Sequence, residues 1–137
     1  MDRRSPMSSI GSISLTRDAK YAMGRMVKES DNLQSEVGGI ACYDLSGSRA
    51  IIKDIIPMTM GLLSENHFPV STTALKSSSR FFCSNDVPIL VHTHPSGQSM
   101  LSSADMSFSK KNDAIICAVA GTNVRCGAGD RGIGISH

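Results

Sequence analysis

The sequence predicts a single α/β domain, a mixed β-sheet flanked by helices. Three observations carry that expectation. A helical apolar stripe stands near the N-terminus. Two short runs rich in β-branched and small apolar residues follow it. A second pair of apolar runs, "VPILVHTH" (87–94) and "DAIICAVAG" (113–121), then brackets a polar segment of helical length. A chain of 137 residues suits one domain with one core.

Residues 1–13, basic and then Ser/Gly-rich, read as a flexible tail, and 14–137 as the domain. In "SLTRDAKYAMGRMVKES" the apolar residues Ala19, Ala22, Met23, Met26 and Val27 recur at i, i+3, i+4, i+7 and i+8, the stripe of an amphipathic helix. Ser14 or Thr16 caps its start, Asp18 suits its first turn, and "SDN" ends it. "EVGGIACYDLSG" and "RAIIKDIIPM" read as an antiparallel hairpin around the turn chemistry of "DLSGS". Residues 59–86 read as an irregular insertion with room for one helix, since Ser and Thr are poor helix formers. "VPILVHTH" is a strand, "SADMSFSKKN" a short helix and "DAIICAVAG" a buried strand, with "GTN" turning it into "VRCGA". The Gly-rich "GDRGIGISH" stays unassigned.

Net charge is +2, and Lys and Arg are scattered with no stripe and no interleaved aromatics, so no nucleic-acid partner is expected. No run approaches the roughly 20 apolar residues of a membrane span, and the N-terminus has no secretory apolar stretch. The expectation is a soluble, cytoplasmic protein; a homo-oligomer is left open. None of Cys42, Cys83, Cys117 and Cys126 forms a C-x-x-C pair. Cys42 and Cys117, in apolar runs, read as reduced, buried thiols, and Cys83 as an exposed one in a polar stretch. His67 and His137 have no partners in sequence and read as surface or loop residues.

The stretch "HTHPSGQSMLSSAD" (92–105) concentrates the chemistry. Strand residues two apart point the same way, so His92 and His94 reach one ion. Pro95 stops the strand, "SGQS" turns the chain, and a helix starting at Ser102 carries Asp105 back towards the strand end. Two imidazoles and a carboxylate form a common catalytic zinc triad with one position left for water, whose pKa zinc lowers to about 7. Hydrolysis also needs a proton shuttle off the metal. Glu36, heading "EVGGI", is the best candidate, and the glycines behind it allow a close approach of backbone or substrate. Ser102 reads equally as a helix N-cap, and Glu36 also reads as a solvated strand-end charge.

These residues resemble the JAMM motif of the MPN-plus metalloproteases: an upstream Glu, then His-x-His-Pro, six residues, and Ser-x-x-Asp. Here Glu36, "HTHP", "SGQSML" and "SSAD" match it without a gap. The resemblance spans roughly residues 14–120. It implies a JAB/MPN-like, cytidine-deaminase-like architecture, a zinc ion on His92, His94 and Asp105, Glu36 as general base and Ser102 as a holder of the oxyanion. It implies a zinc isopeptidase or peptidase that cuts after the Gly-Gly tail of a ubiquitin-like or sulfur-carrier protein. "HTHPSG" and "SSAD" are also similar to RadC-type JAB domains, and phage-tail JAB peptidases are a further relative. Both leave a general peptidase, or no peptidase role, as the alternative.

Overall fold

The computed structural model describes residues 9–58, 72–95 and 99–136. The order is β1 (Ser12–Leu15), α1 (Arg17–Leu33), β2 (Gly38–Ser46), β3 (Arg49–Met58), α2 (Thr72–Cys83), β4 (Ile89–Thr93), α3 (Ser103–Asn112), β5 (Ile115–Ala120), β6 (Asn123–Ala128) and β7 (Arg131–Ser136). His67, His137 and the 96–98 part of the expected turn lie outside the described residues.

The expected helix forms, with Thr16 as its cap: the Thr16 hydroxyl accepts from Ala19 N at 3.1 Å. It runs through "SDN" to Leu33, one residue past it, and a left-handed Gln34 ends it. The hairpin also forms, with Ser46 opposite Arg49 around a positive-φ Gly47, and with a bulge at Cys42/Tyr43. Among its described residues, the insertion holds a helix, α2. The close approach expected at the glycine pair is made by β3. A Cβ on Gly39 would stand 2.7 Å from both Ile55 Cγ2 and the Ile56 carbonyl oxygen.

The sheet does not stay open between helical layers. It closes into a barrel in the order β1-β3-β2-β4-β5-β6-β7, and β1 completes it by pairing in parallel with both β3 and β7. The expected sheet flanked by helices, and the open cytidine-deaminase-like architecture with it, is therefore corrected. The physical cause is that a strand between β3 and β7 satisfies two rows of backbone groups that an open sheet would leave as edges. Two weak segments supply that closure: "SISL", partly inside the expected tail, and the Gly-rich "RGIGIS". Ile10 and Ile13, read as tail, are almost fully buried.

The enclosed cluster takes side chains from every strand, among them Ile13, Tyr43, Ile52, Val91, Val119 and Ile133, and adds Ala19 and Met23 of α1. A smaller cluster on the other face joins Ile40, Leu90 and Ile116 to Leu75 of α2 and Phe108 of α3. Alternation along β4 puts His92 on the face of Leu90, where α3 packs, and Thr93 on the face of Val91.

The reading of reduced thiols is also corrected. Cys42 is bonded to Cys83, and Cys117 to Cys126. Cys117 and Cys126 face each other across the β5–β6 ladder, and α2 ends against β2, so strand and helix packing bring together residues that sequence spacing left apart.

Candidate metal centre

The side chains of the motif are placed by three elements, β4, α3 and the approach to β2. β4 delivers His92, which is 1% exposed, and its ring is fixed from behind: Nδ1 lies 2.9 Å from the Cys117 carbonyl of β5. That carbonyl can only accept, so Nδ1 carries a proton, and Nε2 is the nitrogen that would present a lone pair to a metal bound there. His94 continues the strand path by one residue, its N–H donating to Val119 O at 3.0 Å. Its Nε2 stands 3.0 Å from His92 Nε2.

Asp105 arrives from the first turn of α3. Ser102 and Asp105 form a capping box: Ser102 Oγ accepts from Asp105 N at 3.0 Å, and Asp105 Oδ2 accepts from Ser102 N at 2.9 Å. The box leaves Asp105 Oδ1 3.1 Å from His92 Nε2, and Oδ2 is 3.7 Å from His94 Nε2. Burial alone would raise this carboxyl, but the hydrogen bond and charge of His92, with the Ser102 contacts, hold it below its ordinary value. The carboxylate form is thus the one the site favours.

Glu36 comes from the opposite side, two residues before β2. The pairing of Gly38 with His92 brings it there, and its Oε1 is 3.9 Å from His94 Nε2. Between them Thr93 grips Val37: Thr93 N donates to Val37 O, and Val37 N donates to Thr93 Oγ1, both at 2.9 Å.

Tetrahedral zinc bonds of about 2.0–2.2 Å place neighbouring donors roughly 3.3–3.6 Å apart. His92 Nε2 stands 3.0 Å from His94 Nε2 and 3.1 Å from Asp105 Oδ1, within a few tenths of an ångström of this, and the other Asp105 oxygen is 3.7 Å from His94 Nε2. Ligand atoms of Glu36, His92 and His94 also lie within 4.8 Å of one another, with Glu36 Oε1 3.9 Å from His94 Nε2, so Glu36 borders the same pair of histidines. Two nitrogens and a carboxylate oxygen are a donor set that zinc accepts.

A solved JAMM structure described as a metalloprotease-like zinc site in the proteasome and signalosome is similar over 93% of this chain and 99% of that one, at 15% identity and a TM-score of 0.52. The fold is JAMM-like. The solution structure of protein DSY2949 from Desulfitobacterium hafniense is similar over 90% of this chain and 91% of that one, at 16% identity and a TM-score of 0.61. No protein-family model matches the sequence, and no curated protein does. The likeness is thus one of fold.

The structure brings together Glu36, His92, His94 and Asp105 and sets Ser102 beside Asp105 as its cap. Sequence reasoning missed Thr93 and the Cys117 carbonyl. Thr93 carried a signal, a hydroxyl between two same-face histidines and hence on the other face. The Cys117 carbonyl carried none, because any residue supplies one.

A groove of about 750 Å³ lies between α1 and β3, lined by Arg25, Glu29 and Pro57 among others, and it reaches Val37 and Gly38 beside Glu36. β1 pairs with β3 only as far as Ile52, so on that side the rest of β3 has no strand partner among the described residues.

Proposed function

We propose that the chain is a zinc-dependent isopeptidase or peptidase that cuts the amide bond after the Gly-Gly tail of a ubiquitin-like or sulfur-carrier protein. The observation that carries the reading is the convergence of His92, His94 and Asp105 at zinc-donor spacing with Glu36 just outside them. Zinc, when bound, supplies a Lewis acid and an activated water at neutral pH. His92 and His94 would hold the ion as neutral imidazoles, the first fixed in tautomer by Cys117 O. Asp105 would hold it as a carboxylate oriented by Ser102 N. Glu36 takes the proton of the attacking water and passes it to the leaving amine, without which the amine is a poor leaving group. The Ser102 hydroxyl accepts from Asp105 N and still has its own proton, which it donates to the developing oxyanion.

The partner class rests on shape. A tail without side chains fits where no Cβ obstructs the approach. The groove beside the unpaired part of β3 suits an extended segment that adds to a strand edge. No helix among the described residues is long and apolar enough to cross a membrane.

The test is a panel of β-grasp domains joined through a Gly-Gly tail to a lysine ε-amine, set against unrelated peptides, with zinc-loaded wild type and Glu36→Gln. The expected result is cleavage of the Gly-Gly conjugates by wild type alone. Equal cleavage of unrelated peptides would replace the isopeptidase with a general peptidase, and turnover by Glu36→Gln would remove Glu36 as base.

A further inference from the structure

We infer that Thr93 is the positioning residue for Glu36: its buried hydroxyl clamps the Glu36–Val37 peptide and so holds the glutamate beside His94. The inference rests on the reading of Glu36 as the proton shuttle.

Thr93 stands between the two histidines, but strand alternation turns its side chain to the other face of the sheet, so it cannot share their ligand role. It is 1% exposed, and a polar group so buried needs partners. It finds them 56 residues away in sequence. Val37 N donates to Thr93 Oγ1 at 2.9 Å, and the Thr93 hydroxyl lies 3.3 Å from Val37 O, which already accepts from Thr93 N. Both backbone groups of Val37 are therefore bonded to one residue.

Position gives this pair its consequence. The β2–β4 ladder starts at Gly38 opposite His92, so Val37 and Glu36 lie beyond the last ladder pair. The amide that Thr93 Oγ1 receives belongs to the peptide plane joining Glu36 to Val37, and fixing that plane anchors the Glu36 Cα from which the side chain leaves the backbone. The same β4 residue is bonded through its backbone to the strand that presents His92 and His94. One side chain thus sets the distance between the shuttle and the ligands, which is 3.9 Å from Glu36 Oε1 to His94 Nε2. A hydroxyl is required, because valine has the shape of threonine but offers Val37 N no acceptor.

The experiment compares Thr93→Val, Thr93→Ser, Glu36→Gln and the Thr93→Val/Glu36→Gln double variant, each zinc-loaded, on a fluorogenic Gly-Gly coumarin amide and on the Gly-Gly conjugates. Thr93→Val should keep one zinc per chain by elemental analysis and lose about 100-fold in kcat with KM little changed, the scale of a misplaced catalytic group. Thr93→Ser should keep kcat to within about threefold, since it retains the acceptor. The double variant should be no slower than Glu36→Gln, since Thr93 acts through Glu36.

Full kcat in Thr93→Val, or losses that multiply in the double variant, would overturn the inference. Amide hydrogen exchange gives a measurement that needs neither metal nor turnover. In the wild-type chain the Val37 amide should be protected like the β2 amides, although it lies outside the ladder, and in Thr93→Val that protection should fall selectively. A Val37 amide that exchanges freely in the wild type would overturn the clamp even where no Thr93 variant folds. Absence of hydrolysis by zinc-loaded wild type would fail the enzyme reading instead, and exchange at Val37 then decides the clamp alone.

Discussion

Asp105 performs two tasks with one carboxylate. Oδ2 accepts from Ser102 N and fixes the rotamer, while Oδ1 faces His92 Nε2. Asp105→Asn keeps the shape but removes the charge, and its amide must turn either a nitrogen or an oxygen to each partner. We expect loss of stoichiometric zinc after dialysis, read by elemental analysis, whereas Glu36→Gln keeps the metal. Retention of one zinc by Asp105→Asn would remove Asp105 from the ligand set. Tyr43 gives the pH dependence at this scale. Burial pushes its hydroxyl from 10.0 up to about 12, and the Asp86 charge adds to the rise; the proton it keeps is donated to Val87 O at 2.6 Å. Between those two values the folded chain keeps a proton that the unfolded chain has lost. The stability it contributes is therefore complete below pH 10 and is lost as pH rises towards about 12. Tyr43→Phe should cost about 0.5–1.5 kcal/mol at neutral pH, the worth of one hydrogen bond, and flatten the alkaline limb of a plot of unfolding free energy against pH. An unchanged limb would show that another group sets it.

At the scale of elements, α3 decides where the third ligand stands. Its cap is the same serine that the motif assigns to chemistry, so a loss of activity in Ser102→Ala cannot by itself separate the two roles. Asparagine separates them, because it caps as well as serine and has no hydroxyl. Ser102→Ala should cost about 1 kcal/mol of stability and weaken zinc binding, while Ser102→Asn restores both. If the hydroxyl also serves the oxyanion, Ser102→Asn should still turn over about 100-fold slower, measured as kcat. Full activity in Ser102→Asn would reduce the serine to a cap. The packing behind α3 leaves it little freedom. A Cβ on Gly127 would lie 2.8 Å from Leu101 Cδ1 and 3.2 Å from the Met106 sulfur, so the approach of β6 helps to hold the loop and helix that carry Asp105.

For the molecule as a whole, closure and cross-linking set stability. The disulfides span 41 and 9 residues of sequence, and loop closure assigns them about 4 and about 2.5 kcal/mol in turn. Native chain should show no thiol to an alkylating probe. Mild reductant should open Cys42–Cys83 first, because Cys83 is half-buried while Cys117 and Cys126 lie in the enclosed core. Mass spectrometry of alkylated protein checks both, and four reactive thiols in the native state would restore the reading of reduced cysteines. Much of the site was legible in sequence because it is built from short spacings. His92 and His94 share a face by the two-residue period of a strand, and Ser102 and Asp105 meet by the geometry of a first helical turn. α1 and the β2–β3 hairpin were legible for the same reason, since period and turn chemistry act over a few residues. Tertiary structure alone decided the rest. The barrel closes through "SISL" and "RGIGIS", whose own strand signals are weak and whose partners lie at distant points of the chain. The disulfide partners are chosen by the packing of α2 on β2 and by the β5–β6 register. Glu36 reaches His94 only because β2 pairs with β4 and Thr93 holds Val37. These are contacts between residues far apart in the chain, where the free energy comes from satisfying backbone groups and burying side chains together, and no local pattern records which distant partner will do so.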